Sequence, residues 1–225
     1  MRRPGTQDKD AMPLEGLLGK KLGMTQVFDS NGKIHAVTVV EAGPVVVTQV
    51  KTPSKDGYSA VQVGYGDKKK MNKPMRGHLN KQGNFRTLLE FKVVGDGEYS
   101  VGDKVGLELF DEGDLVHVTG TSRGRGFSGG VRMWNFSGGP KTHGQSDRHR
   151  APGSIGSGTT PGRVYKGQHM ATHMGAAQVT SMNLRVIAKD EGKGLLLIEG
   201  AVPGATNGMV RVRRAKKQDK KQEKK

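Results

Sequence analysis

The sequence predicts a mainly β protein with little helix, a closed barrel or a sandwich, interrupted by one long basic insertion. Three observations carry that expectation. Short β-branched runs alternate with turn residues through most of the chain. Helical periodicity is scarce. Between residues 120 and 177 the strand pattern stops, and glycine and arginine take over.

Taken in order, the first strand candidates are MTQVF (24–28), IHAVTVVEA (34–42), VVVTQVKT (45–52) and YSAVQVGY (58–65). DSNGK, AGP and PSKDG separate them, and Asn-Gly and Asp-Gly supply the positive φ that tight hairpins need. The first third therefore reads as an antiparallel meander. A basic excursion at about 66–84 (DKKKMNKPMRGHLNKQGN within it) offers a helical turn or two near 74–81. Further strands are expected at 86–94, 103–110 and 115–120, then at 178–188, 194–200 and 209–214, with one short helix across 127–134. There is no internal repeat. The final KKQDKKQEKK is low-complexity and lysine-rich, the composition of a segment disordered until it meets a partner.

Charge is segregated. The formal net charge is +16. Residues 120–168 hold eight Lys/Arg against the single acid Asp147, and 211–225 hold nine against two, while the rest of the chain holds twenty against eighteen. A near-neutral body with two basic segments is the pattern of a protein whose partner is a polyanion. Zero cysteines exclude disulfides and thiolate zinc sites. No run reaches the roughly 20 apolar residues of a spanning helix, and the start lacks the apolar core of a signal peptide, so the cytosol is the default compartment. Asn135-Phe136-Ser137 is then a chance match to the glycosylation pattern.

The insertion lacks the composition of a plain linker. Single large groups (Phe127, Trp134, Phe136, Ile155, Tyr165) recur among many glycines, which permit close backbone approach at an entropic cost that something outside must offset. Arginine offers planar forks to phosphate, and sparse aromatics can wedge or stack. The expectation is that this stretch orders against RNA phosphates and grooves instead of around a core of its own. Arg123, Arg125, Arg132, Arg148, Arg150 and Arg163 are expected phosphate contacts, since arginines isolated among glycines have no fold to decorate. Lys68, Lys69 and Lys70 fit a solvated loop face as well as a binding one. Trp134, beside Met133 and Phe136, fits either an anchor at the base of the insertion or a stack on a nucleotide.

Enzymatic patterns fail on context. Gly124-Arg-Gly-Phe-Ser-Gly129 matches GxGxxG, but no parallel strand ending in an acid follows about 20 residues on. Gly126-Phe-Ser-Gly-Gly130 mimics a nucleophile elbow without the α/β sheet that elbow requires. His169-Met-Ala-Thr-His173 has zinc-protease spacing, yet Met170 stands where the general-base glutamate belongs. A general nucleic-acid chaperone is the runner-up class; it would bind duplex DNA as well as RNA, with no preferred site.

The long motifs GLLGKKLGMTQVF (16–28), VTGTSRGRGFSGGVRMWNF (118–136), THGQSDRHRAPGSIG (142–156), TPGRVYKGQHMATHMG (160–175) and GAVPGATNG (200–208), in this order and spacing, resemble the large-subunit ribosomal protein L-three family in its bacterial form. The resemblance covers roughly residues 13–212. It implies a translation-protein type six-stranded β-barrel (13–119 plus 169–212) with 120–168 as a long extension through ribosomal RNA towards the peptidyl transferase centre. A leader (1–12) and a tail (213–225) look like additions. It also implies an early assembly role near the 3′ end of the large-subunit (23S) RNA in the cytoplasmic ribosome, ribosomal proteins L-fourteen and L-nineteen as neighbours, no catalysis, and no cofactor beyond RNA-associated magnesium. His149-Arg150-Ala-Pro-Gly153-Ser154-Ile-Gly156 matches the family's distal run, and Thr160-Pro-Gly-Arg163 its return limb. The expected RNA-contacting set is completed by Trp134, Lys141, His143, Arg148, Lys166, Arg213 and Arg214 with Arg123, Arg125 and Arg132. Many bacterial members carry a methylated glutamine just after the motif's last glycine; this chain has Ser157, so no such modification is expected.

Overall fold

The computed structural model describes residues 14–29, 31–79, 82–93 and 99–215; the expected leader and residues 216–225 of the expected tail lie outside them. In chain order the elements are β1 (Gly16–Phe28), β2 (Ile34–Glu41), β3 (Val45–Lys51), α1 (Pro53–Asp56), β4 (Ala60–Asp67), α2 (Lys73–Leu79), β5 (Phe85–Lys92), β6 (Lys104–Val105), a 3-10 turn (Leu107–Leu109) and β7 (Leu115–Thr121). Then follow β8 (Phe127–Ser128), α3 (Gly130–Trp134), β9 (Thr172–His173), β10 (Gln178–Asp190), β11 (Leu195–Glu199) and β12 (Met209–Arg214). The protein is mainly β, as the alternation predicts.

Six strands close on one another in the order β1-β12-β7-β10-β11-β2. A second sheet runs β5-β4-β3-β6, and β8 pairs with β9 alone. The β1–β2 hairpin is built as its sequence suggests: Gly32 takes φ +76 and its N–H donates to the Asp29 carbonyl (2.8 Å), bringing Phe28 opposite Ile34. The predicted meander is interrupted after it. β2 pairs with β11 instead of β3, so the chain leaves the ring at Ala42, whose N–H donates to Gly194 O (2.9 Å), and starts the second sheet at Val45. Alternation marks strands but does not choose their partners, and here the partner is more than 150 residues away.

Three boundaries differ from the sequence reading for local reasons. β1 begins at Gly16 because residues 16–19 are buried without alternation. The expected strand 103–110 is only two residues long; the rest is a 3-10 turn in which Phe110 N–H donates to Leu107 O (3.0 Å), sending Leu107, Leu109 and Phe110 into the core by a tight turn. The expected helix 127–134 divides into β8 and α3.

One hydrophobic cluster joins both larger sheets. Leu17, Leu18, Val40, Val118, Ile198 and Val212 enter it from the ring, and Val47, Val61, Val63 and Phe91 from the second sheet. Thr38 is fully buried and satisfied by donating to Gly200 O (2.6 Å). The described residues up to Thr121 and from Val179 form one compact unit, and Ser122–Gln178 form a second. No described helix is long and apolar enough to cross a membrane.

Candidate nucleic-acid interface

The second unit connects the neighbouring ring strands β7 and β10. Its base is a two-stranded ribbon: Phe127 pairs with His173 and Ser128 with Thr172, extended by Arg125 N–H to Met174 O (2.8 Å), Met174 N–H to Gly126 O (2.9 Å) and Ser122 N–H to Ala177 O (2.8 Å). Gly175 sits at φ +78 against the Arg123 carbonyl, where a Cβ has no room. Next comes α3, which ends at Asn135 in the left-handed conformation (φ 59). Residues 135–171 carry turns and bends but neither strand nor helix.

This unit has an internal anchor, which differs from the expectation of a segment shaped wholly from outside. The Trp134 and His169 rings stack with centroids 3.8 Å apart and planes 1° apart, and Trp134 Nε1–H donates to Met170 O (2.9 Å). Phe136 completes the cluster, 6.4 Å from His169 and packed so closely on Gly130 that a Cβ there would lie 2.8 Å from its ring. Trp134, half-exposed, thus has an internal partner at the base of the unit. His169 is the residue sequence reasoning missed: a stack between positions 35 apart leaves no periodic signal, and His169 drew notice only through its zinc-like spacing with His173. Among the described residues no three potential metal ligands come together.

Farther along, Gly139 N–H donates to His149 O (3.0 Å), and His149 Nδ1 donates to Pro140 O (2.8 Å), tying residues 139 and 140 to 149. Gly138, at φ +75, passes so close to the His149 carbonyl that no side chain fits. The motif Ser154–Gly156 is a local turn in which Ser154 Oγ donates to Gly156 O (3.1 Å). Ser157 is exposed.

The predicted basic residues divide into two groups. Arg123, Arg125, Arg132, Lys141, His143, Arg148, Arg150, Arg163 and Lys166 all reach the surface, as do Gly153, Ser154 and Gly156. Among the described residues none of these cations is in an ion pair, because the unit holds one acid, Asp147, which makes none either. Arg163 lies over the Tyr165 ring, 5.6 Å from its centroid. Arg213 and Arg214 behave otherwise. They end β12 in the ring unit, half-buried, with Arg213 Nη1 3.3 Å from Glu15 Oε1 and Arg214 Nη2 3.3 Å from Asp114 Oδ2. On the same strand Arg211 lies over the Phe91 ring (4.7 Å), and burial lowers its pKa.

A mainly β body joined to a cationic, glycine-rich unit that leaves its own charges unneutralised is the make-up of a structural nucleic-acid-binding protein. The family profile described as Ribosomal protein L3 matches residues 103–195. The large ribosomal subunit protein uL3 of Dehalococcoides mccartyi is 52% identical over 204 residues, covering 91% of this chain and 100% of that protein; its counterpart in Herpetosiphon aurantiacus is 53% identical over 211 residues (92% and 100%), and that in Acidothermus cellulolyticus 52% over 208 (91% and 94%). The chain belongs to the ribosomal protein L3 family. That family is a structural, non-enzymatic one of large-subunit ribosomal proteins that bind ribosomal RNA and serve translation in the cytoplasmic ribosome.

Proposed function

We propose that the protein binds large-subunit ribosomal RNA early in subunit assembly, near the RNA's 3′ end. In this reading the ring unit is a translation-protein type barrel, and 120–168 is an extension running through RNA towards the peptidyl transferase centre, with ribosomal proteins L-fourteen and L-nineteen as neighbours. The observation that carries it is the set of six arginines (123, 125, 132, 148, 150 and 163) at the surface of a unit with a single acid and no ion pair among its described residues. Such charges repel one another unless a polyanion neutralises them, and RNA phosphates do so while releasing condensed counterions. A-form grooves and junction shape then select the site with little base-edge reading. The protein supplies no catalytic group. It holds catalytic RNA in shape and takes no cofactor of its own beyond any magnesium that belongs to the RNA.

The test is deletion of residues 142–162. The ring unit should remain folded by circular dichroism and still join the subunit, while peptidyl-transfer activity or maturation of those subunits falls. Subunits of normal activity and normal maturation would reject the assignment.

A further inference from the structure

Phosphate neutralisation does not account for an open cleft of about 550 Å3 inside the second unit, between residues 135–139 and 148–153. Its size falls in the range of about 300–1,000 Å3 usual for small-ligand sites. Phe136 lines it, its ring packed on Gly130 and 6.4 Å from His169 of the Trp134–His169 stack. Ala151, Pro152 and Arg148 line the same cleft. Its two lining segments are joined beside it by the Gly139–His149 and His149–Pro140 hydrogen bonds. Arg148, on the cleft, takes positive φ (59°), a conformation that costs a residue of this kind energy and that clusters at ligand clamps. The cleft thus offers an aromatic ring, a proline and a guanidinium that is in no ion pair, with no carboxylate among its lining residues.

That combination fits a nucleobase with its phosphate. A duplex cannot enter, because stacked bases expose only edges; an unstacked nucleotide presents a π-face for the ring and an anion for the arginine. We propose that the cleft receives one extruded nucleotide of the RNA, its base against Phe136 and Pro152 and its phosphate on Arg148. The inference rests on the RNA-binding reading above and adds to it a site for a single base.

Large subunits carrying Phe136→Ala are compared with wild-type subunits by base-specific chemical probing and by hydroxyl-radical footprinting of the RNA backbone. One unpaired nucleotide should gain base reactivity by about fivefold or more, the effect of losing one base–ring stack, with the backbone footprint of residues 122–178 retained. Phe136→Leu keeps an apolar group against Gly130 without the ring; it must expose the same base, and it is the variant read where Phe136→Ala disturbs the unit. An intact footprint with no newly reactive base overturns the nucleotide site and leaves RNA binding standing. No footprint from residues 122–178 in wild-type subunits overturns both.

Discussion

At Gly16 a missing side chain decides whether the ring closes. Gly16 faces Arg213 across the β1–β12 ladder, and a Cβ there would drive into the Val212 carbonyl, with Arg213 Cα only 2.9 Å away. Both obstacles are backbone, so neither can swing aside as a flexible side-chain end would. Gly16→Ala must therefore push β1 from β12 at the place where both strands deliver core residues, Leu17 and Val212. The expected cost is about 1–3 kcal/mol, the range for overpacking a close-packed site, seen as a lowered Tm in thermal unfolding. Gly23 is the control. It lies in the same strand with nothing within 4 Å of its Cβ direction, so Gly23→Ala should be neutral or gain stability by about 0.5–1 kcal/mol. Equal losses from both substitutions would show that β propensity, not close approach, governs the strand.

At the scale of elements, the second sheet is tied across its strands by one polar network. Lys51 on β3 donates to Tyr58 Oη (2.8 Å) and pairs with Glu90 on β5 (Nζ–Oε1 2.7 Å), while the Tyr58 hydroxyl donates to the other Glu90 oxygen (2.7 Å). The Lys51 hydrogen bond, then that of Tyr58, hold the Glu90 carboxyl below its ordinary value, and Glu90 in turn pushes Lys51 up. A carboxyl depressed in the folded state contributes stability above its unfolded value of about 4.3, and that contribution disappears as pH falls through the folded value. Lys51, raised, contributes fully throughout the acid range and adds no slope there. Glu90→Gln should thus lower stability at neutral pH and flatten the decline below about pH 4.3. Urea midpoints measured from pH 2 to 7 decide it, and parallel curves for the two proteins would refute the coupling. The strands that carry this network were legible because each is a short alternating run between turn residues. Their pairing was not: nothing in IHAVTVVEA says that it joins LLLIE near the other end of the chain instead of VVVTQVK beside it. DKVGLELF misled for a related reason, since a 3-10 turn and a strand can bury the same leucines.

Across the whole molecule the informative quantity is where charge goes unmatched, and this was readable from composition. Eight cations against one acid in a single stretch cannot all be paired within that stretch. The anchor inside that stretch was not readable, because Trp134, Phe136 and His169 meet through turns set by left-handed Asn135 and by Gly138, leaving no period to detect. Arg213 and Arg214 show the opposite limit: as sequence they belong to a basic terminus, but strand pairing sets them beside Glu15 and Asp114. Salt dependence separates the two kinds of cation. Removing one phosphate-bound cation should reduce the slope of log K against log salt by about 0.7–0.9, so a variant combining Arg148→Ala with Arg150→Ala should bind ribosomal RNA with a slope shallower by about 1.4–1.8. Lys189 and Lys193, which pair with Glu191 and Asp190, serve as the comparison, and replacing both with alanine should leave the slope nearly unchanged. Filter binding over a range of potassium chloride concentrations measures both. If the paired lysines alter the slope as much as the two arginines do, affinity follows net charge alone and the second unit has no privileged contact with the RNA.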